Sequence, residues 1–201
     1  MMPTIPSELE ALMARACALG ATAAAIIPAG SLVVEENLAS LCGAPYRCPS
    51  YGLAPGCPPH AMQPEVFREL LFVYQQALVF KIEAPVAALL GQERLEIARR
   101  IHNIAATIEQ EALAQGWRLA KGLAAGSCKE LFCPKLAVCV VLDQGLECPH
   151  AERARPSLSA LGVNFSLLTQ AVGWQFEKIQ AQAATAGEPA IGLMAGLVLL
   201  A

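Results

Sequence analysis

Two stretches of this chain carry the same cysteine spacing, and that match constrains the fold more than any other feature. The first reads Cys42-x5-Cys48-x8-Cys57-Pro58-Pro59-His60 and the second Cys133-x5-Cys139-x8-Cys148-Pro149-His150. Two independent gaps recurring together, each followed by proline and a nearby histidine, point to an internal repeat of a ligand loop. Cys42 to Pro64 is dense in Cys, Pro and Gly, a composition that favours an irregular loop over hydrogen-bonded ladders, and Cys128 to Pro149 forms a second loop rich in cysteine. Loops this long usually carry function, and something other than a ladder must order them.

Metal is the expected answer. The start of the chain has Glu8, Glu10 and Arg15 scattered through an apolar stretch, unlike a secretory leader, so the expected compartment is the cytoplasm, where thiols stay reduced. There, eight cysteines read as metal or redox chemistry and not as disulfides. The second loop supplies four thiolates, Cys128, Cys133, Cys139 and Cys148, the number that a cubane cluster or a structural zinc site needs. Zinc sites favour tight C-x2-4-C knuckles, and the wider gaps here suit an iron–sulfur cluster, expected as [4Fe–4S] with one or two per chain, zinc being the alternative. The cysteines stand among Pro, Lys, Glu and Gly, which argues against their being plain buried hydrophobes.

The first loop offers only Cys42, Cys48 and Cys57. Its fourth position is open to His60, to the distant Cys17, or to an exogenous ligand. Cys17 also reads as a core residue of the first helix, and His60 as an ordinary loop histidine. A closed four-thiolate site suits electron transfer or structure, whereas a vacant corner can bind a substrate. His102 lies beside Arg99 and Arg100 and reads as part of a solvated helix face. Arg153 and Arg155 follow Cys148 and suit either an exposed loop or the support of an anionic cluster. No catalytic residue can be named: Walker, GxGxxG and GxSxG motifs are absent from the sequence.

The remaining chain reads as interleaved strands and helices, a single α+β or α/β domain over 1–201. Helices are expected over Pro6–Gly20, Glu65–Tyr74 behind Pro64, and Val86–Gln115, with a helical turn at Ser157–Leu161. Strands are expected over Ala23–Ile27, Ala77–Ala84, Trp117–Ala124, Val163–Val172 and Ile191–Ala201, the last entered by a turn at Gly187–Pro189. The apolar run Ile191–Ala201 is far shorter than the roughly 20 residues of a membrane span. Hydrophobic residues make up 55% and charged residues 15%, which leads us to expect a homodimer. A net charge of −3 without a basic stripe argues against nucleic acid and leaves small molecules or a redox protein as partners.

Most of the chain is similar to a prokaryotic family of predicted metal-binding proteins, built on a domain of unknown function and common in anaerobic bacteria and archaea. The resemblance runs through Cys48-Pro49-Ser50-Tyr51-Gly52, Cys57-Pro58-Pro59, Ala125-Gly126-Ser127-Cys128, Cys133, Cys139, Cys148-Pro149-His150 and Ala154-Arg155-Pro156-Ser157 ahead of Gly162. It implies metal binding through these cysteines. The gap from Cys42 to Cys48 is wider than the family's usual pairing.

Overall fold

The computed structural model describes residues 6–45, 47–175 and 190–201. Its centre is a four-stranded sheet in the order β1-β2-β4-β3, from Ala23–Pro28 (β1), Gln76–Pro85 (β2), Ala120–Leu123 (β3) and Ile191–Leu200 (β4). Every neighbouring pair is antiparallel, so the domain is α+β. Strands β2 and β4 read as nearly continuous apolar runs because both faces of the sheet are covered, a pattern more usual in parallel sheets. Leu78, Phe80, Ile82, Val198 and Leu200 point to one face, where Ser7–Ala18 (α1) and Glu93–Ala114 (α5) pack with Leu12, Ile101, Ile104 and Ile108. Ala77, Val79, Leu197 and Leu199 point to the other, against Phe67 and Leu71 of Pro64–Leu71 (α3) and Leu168 of Phe165–Ala171 (α8). Each large side chain so buried contributes about 1.5–3 kcal/mol, and the two filled faces absorb much of the apolar composition.

Two glycines are dictated by contact. Gly196 sits opposite Phe80 across the β2–β4 ladder, and a Cβ there would lie 2.5 Å from the Phe80 ring and 3.0 Å from the Leu123 carbonyl oxygen. Gly162, at φ 75°, would put a Cβ 2.5 Å from the Glu35 carbonyl oxygen, while its own carbonyl accepts from Glu35 N at 2.8 Å.

Several expectations need correction. The helix expected over 86–115 is two, Val86–Leu90 (α4) and α5, because Gly91 turns extended between them. The strand expected over 163–172 is helix α8: Asn164 accepts from Leu167 N at 3.0 Å as its N-cap, and Phe165, Leu168 and Val172 present a helical stripe to the core. The strand expected from Trp117 begins at Ala120. Helices α1 and α3, strands β1, β2 and β4, and a 3-10 turn at Ser159–Leu161 stand where the sequence pattern put them. The turn expected at Gly187–Pro189 lies outside the described residues.

Candidate metal centre

The second cysteine loop is an excursion from the end of β3 with its two ends clamped together. Ala124 N donates to the Pro156 carbonyl at 2.8 Å, and Leu158 N donates to the Ala124 carbonyl at 2.9 Å. The long loop expected here carries two short helices, Cys128–Phe132 (α6) and Val140–Gln144 (α7). Lys129 is buried in α6 and its ammonium donates to the carbonyls of Cys133, at 2.8 Å, and Leu136, which pins the chain between α6 and α7. The first loop follows Glu36–Ser40 (α2) and is built from turns alone: Cys48 N donates to the Cys42 carbonyl at 3.0 Å, and Ala61 N to the Cys57 carbonyl at 2.9 Å. The two loops therefore share their cysteine spacing and differ in backbone.

One helix carries the second loop. From its N-terminal end, α5 presents Arg94 to Glu130, Arg99 to the Leu131 carbonyl, His102 to Arg155 N, Glu109 to the Arg155 guanidinium and Gln110 to the Glu152 carbonyl. The sequence suggested otherwise for two of these. His102 is fully buried, not part of a solvated face, and its Nδ1 accepts from Arg155 N at 3.0 Å. Burial holds its pKa down to about 4, the Arg155 charge adds to that, and backbone carbonyls near Ala125 and Gly126 oppose it. The ring stacks edge-on against Phe132 of α6 at 5.5 Å. Arg155 is no exposed loop residue: it makes a buried fork with Glu109, both contacts at 3.0 Å, and caps the carbonyls of Ala151 and Ala154. Arg153 lies with its guanidinium 5.0 Å from the Phe132 ring.

All seven loop cysteines converge on two adjoining cavities. Cys128, Cys133, Cys139 and Cys148 line the first together with Phe132, His150 and Ala54 of the other loop; its volume is ≈ 20 Å³ and its lining is apolar. Cys42, Cys48 and Cys57 line the second, ≈ 320 Å³, together with Ser127, Glu130 and Arg94. Neighbouring residues line the two, Cys128 and Lys129 the first and Ser127 and Glu130 the second. Cys57 Sγ lies 3.3 Å from Ser127 Oγ, one residue from Cys128, and Gly56 packs against Pro156 so closely that a Cβ would come within 3.0 Å of its Cα. Among the described residues, no three Cys, His, Asp or Glu side chains close on one point at the spacing of a single ion.

The electrostatics match this convergence. Burial, joined by the neighbouring Cys57, Cys148, Cys139 and Cys133, pushes the Cys128 thiol up to about 12. Cys42 and Cys57 are raised chiefly by burial, with Cys48 beside each. Without a cation these thiols stay protonated, so a bound metal must displace protons to gain thiolate ligands. The donor set is soft throughout its loop residues and fits zinc or iron–sulfur chemistry.

Neither extra candidate joins the first set. Cys17 is exposed on α1, a helix seated on β1, β2 and α5, and is neither a core residue nor part of either cavity lining. His60 is not part of the lining of the Cys42, Cys48 and Cys57 cavity and lines a cleft with Lys129, Val138, Cys139 and Asp143 of the second loop. Sequence reasoning missed Glu130 and Arg94 entirely, because only the meeting of the two loops places them at the first set.

A family model described as Predicted metal-binding protein (DUF2284) matches residues 25–200. No curated protein and no solved structure matches the chain significantly. The match covers both cysteine loops and all four strands but the first two residues of β1, and the chain belongs to that family of predicted metal-binding proteins.

Proposed function

We propose that this member of the predicted metal-binding family holds iron–sulfur clusters on its two thiol sets and carries electrons, or handles a small ligand, for an anaerobic enzyme system in the cytoplasm. The observation that carries the reading is the convergence of all seven loop cysteines on two adjoining cavities, four on one and three on the other. Thiols spread around a cavity suit a group whose metal atoms stand several ångströms apart better than one ion. A cluster accepts a single electron, and its potential follows net charge, hydrogen bonds to sulfur and exposure. The chain's part is to seat it: Phe132, His150 and Ala54 dry the four-thiol cavity, and Ser127 Oγ accepts from the Cys57 thiol at 3.3 Å. Two adjoining redox sites give an electron a short path from one to the other.

One observation favours zinc at the four-thiol set instead: its cavity, at ≈ 20 Å³, is much smaller than the ≈ 320 Å³ of the three-thiol cavity beside it. Anaerobic purification with iron, sulfide and zinc analysis separates the two. Brown protein with acid-labile sulfide, bleached by dithionite, is the expected result. Colourless protein holding stoichiometric zinc overturns the iron–sulfur reading, because zinc has no redox chemistry.

A further inference from the structure

The first cysteine set has three thiols and needs a fourth partner. Its cavity wall supplies one acidic side chain, Glu130 of α6. We propose that Glu130 is the fourth protein ligand of the Cys42, Cys48 and Cys57 site, delivered by the second loop and oriented by Arg94. The inference rests on the reading of those three cysteines as metal ligands.

Three observations carry it. Glu130 belongs to the same short helix as Cys128, so α6 lines both cavities, the first with Cys128, Lys129 and Phe132 and the second with Glu130. Its carboxylate is held by a two-point contact: Arg94 Nη2 to Oε1 at 2.5 Å and Nη1 to Oε2 at 3.2 Å. A metal-ligating carboxylate is commonly fixed by just such a hydrogen-bond partner, and each oxygen keeps a second lone pair free. Finally, Arg94 lines the same cavity as Cys42, Cys48 and Cys57, which puts the guanidinium, and with it the carboxylate, beside the thiol set. The competing ligands are elsewhere, Cys17 on the exposed face of α1 and His60 in the cleft toward Cys139. A carboxylate is a harder and weaker ligand for iron than a thiolate, which makes this corner the exchangeable one.

The test uses full-length protein loaded anaerobically, with Glu130→Ala, Glu130→Cys, Cys17→Ser and His60→Ala variants. Cyanide is titrated against the visible spectrum, and release of metal to a chelator is timed, a readout that works for iron and zinc alike. Glu130→Ala should respond to cyanide at about tenfold lower concentration than wild type and lose first-site metal about tenfold faster. Glu130→Cys should restore retention and resist cyanide, whereas Cys17→Ser and His60→Ala should titrate as wild type. If Glu130→Ala is insoluble, Glu130→Cys alone decides: a spectrum and release rate identical to wild type overturn the assignment. Metal-loaded wild type indistinguishable from Glu130→Ala overturns the assignment alone. Wild type free of metal, or Cys57→Ser with its full complement, overturns the metal reading and this assignment with it.

Discussion

Replacing Glu109 by alanine tests how the second cysteine loop is held to the fold. Glu109 Oε2 accepts from Gly122 N and from Arg155 Nε, and Oε1 lies 3.0 Å from Arg155 Nη2. The two side chains are only 19% and 8% exposed, so solvent screens the pair weakly. Truncation strands a guanidinium that keeps the Ala151 and Ala154 carbonyls alone and leaves the Gly122 N–H without its acceptor. Removing one partner of a buried pair costs about 3–5 kcal/mol. For a chain of this length that corresponds to a fall in Tm of about 6–20 °C. Equilibrium urea unfolding of loaded protein measures the loss, and a cycle with Arg155→Met and the double variant isolates the pair. The double variant should cost less than the sum of the singles by more than about 1 kcal/mol. Strict additivity, or a Glu109→Ala cost under about 1 kcal/mol, would refute the reasoning and class the pair with solvated surface bridges. Metal content should fall with stability, because Arg155 ties the strand that leaves Cys148 to α5.

Cys133→Ser should lower both metal content and soluble yield, since Cys133 lines the four-thiol cavity and a bound metal would tie the end of α6 to the start of α7; unchanged metal would remove Cys133 from the site. His102 gives a pH signature. Its pKa is lowered from 6.5 to about 4, so between those values the unfolded chain binds a proton that the folded chain refuses, and stability falls on acidification by up to about 3 kcal/mol. A His102→Gln variant should show a flatter stability profile over that window, and an equal slope would assign the acid sensitivity elsewhere. Gly196→Ala should cost about 1–3 kcal/mol through overpacking against Phe80, read as a lower urea midpoint with unchanged slope.

The cysteine positions were legible because metal ligation needs particular donors at particular gaps, and that requirement survives any backbone. The sheet was legible in β2 and β4, whose apolar runs have few other uses. Helix α8 was not: Val163–Val172 is apolar at both the strand and helix periods, and the discriminating signal was the capping residue Asn164. His102 was misjudged from its sequence neighbours Arg99 and Arg100. Its helical neighbours Ala98, Ala105 and Ala106 are all buried, and reading at a spacing of three and four would have placed it inside. Glu130 and Arg94 had no local signal at all, because their relation to Cys42 and Cys48 exists only once the two loops meet.

Strand β4 has a consequence for the order in which the chain is made. It lies between β2 and β3, yet it is translated after both of them and after both cysteine loops. A nascent chain can therefore display all seven loop thiols while its sheet still lacks the strand that joins β3 to β2. Domains emerge from the ribosome at about 5–20 residues per second, so thiols spend seconds in that open state. Cofactor delivery and oxidative damage compete during that interval, and the emergence of β4 closes it.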